Sequence, residues 1–161
     1  MSYKSENVLE TFSFKDAYIT HFEFDGKQMD IALDGVIIRA ENENNANFTD
    51  SYAKGFVLSL EDVQIKGAYK EGFKYYDAND VLLREVPNED MEVSAFLKLL
   101  KSLEEPYFYG VKKLTSEGED YFYEFGIEER CELEAGSTYW FQVQYKNAVT
   151  TWEGYLNRVQ Y

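Results

Sequence analysis

Apolar and polar residues alternate most clearly near the start of the chain. From Ala17 to Phe24, Tyr18, Thr20, Phe22 and Phe24 share one phase while Ile19, His21 and Glu23 share the other, which is the period of a strand. Asp25-Gly26 follows, and alternation resumes at Met29, Ile31 and Leu33. Ala17 to Asp34 therefore predicts a hairpin with its turn near Asp25-Gly26-Lys27. Asp34-Gly35 interrupts the phase before Val36-Ile37-Ile38, as a bulge or a second tight turn would.

In "GFVLSLEDVQIKG", Phe56, Leu58 and Leu60 share one phase and Val63 and Ile65 the opposite one. The slip at Glu61-Asp62 predicts a bulge within one long strand. "AYKEGFKYYDANDVLL" is less regular and predicts one strand near Phe73 to Tyr76. A single segment carries a helical pattern, about residues 89–103. Pro87 precedes Asn88 as N-cap, Glu89, Asp90 and Glu92 place negative charge on the first turn, and Val93, Phe96, Leu97, Leu100 and Leu103 form the apolar stripe. Lys98 and Lys101 lie toward its C-terminal end, and its apolar face is expected to lie on a sheet.

The last third reads as a meander with strands at Tyr107 to Leu114, Tyr121 to Ile127, Cys131 to Leu133 and Tyr139 to Tyr145, and a final segment near Thr151 to Val159 that has no clean phase. Gly118 and Ala135-Gly136-Ser137 supply turns. The expected architecture is α+β and mostly antiparallel: a curved sheet holding one substantial amphipathic helix, or a two-sheet sandwich with the helix at its edge. The 161 residues are expected to form a single domain, 1–161.

Composition strengthens the β reading, because 14 Tyr and 12 Phe favour a pleated surface and only two prolines occur. Thirty acidic residues oppose sixteen basic ones, a net charge of −14. That field disfavours nucleic acid and anionic membranes and would attract a basic protein partner. No apolar run approaches the roughly 20 residues that span a bilayer. One cysteine, Cys131, excludes an intramolecular disulfide, and the opening residues lack the basic and apolar regions of a signal peptide, so a cytoplasmic setting is expected.

Candidate chemistry is sparse. His21 is the only histidine, so multi-histidine metal sites are excluded and neither a metal nor another cofactor is expected. A Cys131 and His21 nucleophilic pair has no recognised context, no carboxylate pair stands out among thirty acids, and no catalytic residue is assigned. The polar side of the late strands is more informative. Trp140 shares a phase with Thr138, Gln142 and Gln144, and Phe122 shares one with Glu124. Rings among polar neighbours can form a recognition surface, unless the helix covers that face and the rings are core. Trp140, Phe122, Gln142, Gln144, His21 and Trp152 are the candidate binding residues.

"TFSFKDAYITHFEFDGKQMDIALDGVII" resembles the opening of small bacterial proteins that begin with a Ser-Phe-x-Asp-Ala strand and an apolar hairpin. Ser13, Phe14, Asp16 and Ala17 match, and Lys15 stands where such openings often carry His. The resemblance covers about 30 residues. It implies kinship with proteins suspected of immunity roles, which bind a toxin, and no functional residue is carried over from it.

The expected activity is therefore that of an immunity-like interaction module with a basic protein partner. The alternatives are a carbohydrate or small-ligand binder, with a cleft lined by Trp or Tyr and two carboxylates, and a homodimer that buries its aromatic face. The stretch "ENENNANFTDSY", Glu41 to Tyr52, lacks the central Gly of a calcium loop. Asn47-Phe48-Thr49 fits a glycosylation acceptor in a chain with no expected export, so the stretch reads as a polar strand connection. Deleting Asn42 to Asn47 is then expected to leave the fold standing.

Overall fold

The structure, a computed structural model, describes residues 2–114, 120–130 and 137–161. In chain order the strands are β1 (Tyr3–Glu6), β2 (Phe12–Ser13), β3 (Tyr18–Phe24), β4 (Met29–Asp34), β5 (Ile37–Ile38), β6 (Ser51–Lys54), β7 (Phe56–Glu61), β8 (Gln64–Lys70), β9 (Phe73–Tyr76), β10 (Leu82–Val86) and β11 (Glu89–Met91). Helix α1 (Val93–Ser102) precedes β12 (Pro106–Lys113), β13 (Tyr121–Glu129), β14 (Thr138–Tyr145), β15 (Asn147–Trp152) and β16 (Gly154–Arg158). The result is the expected α+β class, mostly antiparallel β with one helix.

The predicted hairpin is β3 paired with β4, Phe24 opposite Met29. Asp25 builds its turn: Oδ1 accepts from the N–H groups of Gln28 at 2.7 Å and Lys27 at 2.9 Å, and Gly26 takes the left-handed φ of 97°. Those two donors hold the Asp25 carboxyl below its usual pKa. The phase changes inside β3, because the register shifts between Ile19 and His21. Thr20 is the additional residue, so Ile19 faces the core with Phe22 and Phe24, and Tyr18 and Thr20 do not share their face. At Gly35 the chain leaves this sheet, and β5 joins a second one.

β7 and β8 are successive parts of the long run expected from the sequence, broken at Asp62, which has a φ of 54°. β15 and β14 are likewise two parts of one run, and the runs pair along both halves, Thr151 opposite Val57 and Tyr139 opposite Lys70. The ten-stranded order β1-β15-β7-β4-β3-β12-β13-β14-β8-β11 therefore curls back on itself. Its concave side holds Ile31, Leu58, Phe108, Phe125, Phe141 and Val143, all fully buried. Helix α1 packs there through Phe96, whose ring is 4.9 Å from that of Phe141. The four-stranded sheet β16-β6-β5-β2 adjoins this core through ring contacts from Phe12 to Phe56 and Trp152.

Two expectations are corrected. The helix begins at Val93 and ends at Ser102, not over 89–103, because Glu89 to Met91 extend along the edge of β8 as β11. A ladder to β8 satisfies their backbone, and Asn88 accepts from Gly72 N–H at 2.7 Å instead of capping the helix. The stretch Glu41 to Tyr52 is also more than a connection. Asn42 and Asn45 are 3% and 4% exposed. Asn45 Nδ2 lies 2.9 Å from Thr49 O and 3.1 Å from both Ile38 O and Arg39 O, while Asn42 Nδ2 donates to Thr11 Oγ1 at 2.8 Å. The loop plugs the second sheet with its amides. The strand expected at Cys131 to Leu133 and the turns at Gly118 and Ala135-Gly136 lie outside the described residues.

Candidate functional site

Strand alternation sends Phe141, Val143 and Tyr145 of β14 into the core and Thr138, Trp140, Gln142 and Gln144 to the convex side. The helix packs on the concave side, so it does not cover these residues. Trp140 is nonetheless only 2% exposed. Opposite it in register is Gly126 on β13, and beyond that Gly110 on β12. A Cβ on Gly126 would come within 2.7 Å of the indole, and one on Gly110 within 3.3 Å. The ring thus lies down over two positions without side chains. Tyr109 meets its edge at 6.1 Å and Lys112 Nζ stands 4.4 Å above the ring. Its Nε1 has no hydrogen-bond partner among the described residues.

Around the indole the polar residues satisfy each other. Glu124, 8% exposed, accepts from Gln142 Nε2 at 3.0 Å and from the Tyr69 hydroxyl at 3.4 Å. Burial first, and the Glu124 charge second, raise the Tyr69 pKa. Glu128 accepts from the Tyr107 hydroxyl at 2.5 Å and from Thr138 Oγ1 at 2.6 Å. The first of these bonds, with burial, pushes the Tyr107 pKa up to about 12. Gln144 Nε2 donates to Asp120 at 2.7 Å, opposite the half-buried Phe122. Trp140, Phe122, Gln142 and Gln144 accordingly share one face, but its indole is covered and its amides are engaged.

The other two candidates lie elsewhere. His21 is exposed on β3 beside Ala32, with Nε2 3.6 Å from Glu23, and β12 and β13 separate it from β14. Trp152 is 1% exposed within the core, stacked with Tyr3 at 5.8 Å and Phe56 at 6.1 Å. Cys131 is outside the described residues.

A second feature was invisible as a site in the sequence. β9 and β10 form a two-stranded hairpin of their own, hydrogen-bonded to neither larger sheet. Asp77 shapes its tip by accepting from Asn79 N–H at 2.8 Å and Val81 N–H at 3.0 Å. At the base Gly72 is obligatory, since a Cβ there would stand 2.0 Å from Val86 O. Leu83 is 67% exposed, Val81 55%, Tyr76 54% and Tyr75 52%. The signal was present: Asp77-Ala78-Asn79-Asp80 between "KYY" and "VLL" is a turn between two apolar runs.

Acidic residues flank this arm. Residues 71–92 hold seven acidic against two basic side chains, a net of −5 out of −14 for the whole chain. Glu71 N–H donates to Thr138 O at 2.8 Å, so the arm rises from the Glu128 and Thr138 end of the convex face. Among the described residues no group of three His, Cys, Asp or Glu is placed to hold a metal, and no helix is long and apolar enough to cross a membrane. Comparison with family models, with curated proteins and with solved structures finds no match for the chain.

Proposed function

We propose that this chain is an acidic protein-interaction module that holds a basic protein partner with its β9–β10 arm. The carrying observation is the arm itself, an apolar hairpin exposed on both faces and flanked by the carboxylates Glu71, Glu89, Asp90 and Glu92. An isolated two-stranded hairpin is marginal in water, and monomers rarely leave large contiguous apolar surface uncovered. Tyr75, Tyr76 and Leu83 supply the kind of anchors that dominate interface energies, and the surrounding carboxylates would steer a cationic surface toward them. Self-pairing of the arm would bring two chains of −14 together, so a basic partner is favoured over a homodimer. The Ser13 to Ala17 opening, with its immunity-like resemblance, makes a cytoplasmic toxin the first partner class to try.

The test is capture on the immobilised chain at about 0.05 M salt and again at about 0.5 M, where exposed charges are screened. A basic protein should be retained at low salt, released at high salt, and not retained by a Tyr75→Ser/Leu83→Ser variant. Equal retention by that variant, or nothing retained at low salt, overturns the proposal. A dimer in light scattering that the same variant dissolves would assign the arm to self-association instead.

A further inference from the structure

β12 is paired with β13 along its length, but its other edge is met only briefly. Tyr107 stands opposite Tyr18, and Phe108 exchanges backbone hydrogen bonds with Asp16 N–H at 2.8 Å and Ala17 O at 2.9 Å. Beyond Phe108, residues 109–113 have no strand on that side among the described residues. The short helical turn Leu9–Thr11 and β2 stand away from this edge and leave a cleft of about 480 Å³. Its floor is apolar, made by Phe12, Phe14 and Val111 with the buried Tyr123. That volume falls in the range of small-molecule sites.

Its rim reverses the character of the chain. Lys15, Arg39 and Lys113 line the cleft and Glu10 is its one carboxylate, although acids outnumber bases thirty to sixteen overall. Among the described residues none of the three cations forms an ion pair. Arg39 faces Asp50, but that carboxylate already accepts from Ala40 N–H and the Tyr161 hydroxyl. Three cations against one carboxylate above an aromatic floor match a ligand with an apolar body and an anionic head. Charge-assisted hydrogen bonds would fix the head, and removal of the tail from water would hold the rest.

We infer that the cleft between β12 and β2 binds a small amphipathic carboxylate, with the carboxylate at Lys15, Arg39 and Lys113 and the tail over Phe12, Phe14 and Val111. The site is distinct from the arm and stands whether or not the arm holds a protein. Decanoate is the probe, titrated calorimetrically into the full chain beside decanol as its uncharged counterpart. One decanoate per chain should bind, decanol and the Lys15→Gln/Lys113→Gln variant should each bind at least about tenfold more weakly, and the Tyr75→Ser/Leu83→Ser variant should bind normally. Both lysines are exposed, so an unchanged urea midpoint will show that the variant folds. Absence of stoichiometric binding, decanol as tight as decanoate, an unaffected lysine variant, or loss of binding in the arm variant would each overturn the inference.

Discussion

Trp140 occupies the space that Gly126 leaves vacant directly across the β13–β14 ladder, so near that a methyl group on Gly126 would stand 2.7 Å from the indole. Gly126 has no left-handed φ to protect, which makes its requirement steric. Gly126→Ala should destabilise the fold by about 1–3 kcal/mol through overpacking, even after the small gain from a stiffer unfolded chain. Gly110→Ala, where the approach is 3.3 Å, should do less. Urea unfolding with unchanged m-values measures both, and equal effects would mean that the indole moves aside freely.

Asn45 presents its amide to three backbone carbonyls from a site 4% exposed. Asn45→Ala should weaken the fold by about 1–3 kcal/mol because those acceptors lose a buried donor. Asn45→Asp should be at least as damaging, since a carboxylate there faces oxygen. Deletion of Asn42 to Asn47 should abolish cooperative unfolding, opposite to the expectation from sequence. A deletion variant with the parental urea midpoint would refute the plugging role.

The Tyr107 hydroxyl donates to Glu128, and its pKa of about 12 exceeds the ordinary value of 10.0. The native state therefore keeps this proton longer than the unfolded chain. The associated stability is fully present below about pH 10 and declines as the pH rises toward 12. Tyr145, Tyr123 and Tyr69 are raised as well, chiefly by burial, and steepen the decline. Tyr107→Phe should flatten the slope of stability against pH over that interval, as followed by chemical denaturation at successive pH values. An unaltered slope would mean that the bond to Glu128 is not maintained in solution.

The arm should be nearly silent in stability. Its two strands contact each other and little else, and their side chains are exposed. Tyr75→Ser and Leu83→Ser should each shift the unfolding free energy by no more than about 0.5 kcal/mol. A thermal melt that drops by many degrees would show the arm packed on the body, which would leave it unavailable to a partner.

Much of the β architecture was legible because side chains alternate along a strand whatever the strand pairs with. The Ala17 to Asp34 hairpin, the long run broken at Asp62, and the common face of Trp140, Gln142 and Gln144 all follow from local period and turn chemistry. What alternation cannot encode is who lies across the ladder. Whether Trp140 would be a platform or a covered ring depended on Gly126 and Gly110, which are 14 and 30 residues away and adjacent only after pairing. Residues 89–91 carried helix-start residues, yet an open edge on β8 offered their backbone hydrogen bonds and prevailed over propensity. Asn45 looked like loop polarity until three carbonyls converged on it. The sequence by itself determined the class, the hairpins and the acidic field, because these depend on near neighbours and summed charge. Only the tertiary structure decided which rings are covered, which amides are buried and that Lys15, Arg39 and Lys113 line one cleft, because each depends on contacts between segments far apart in the chain.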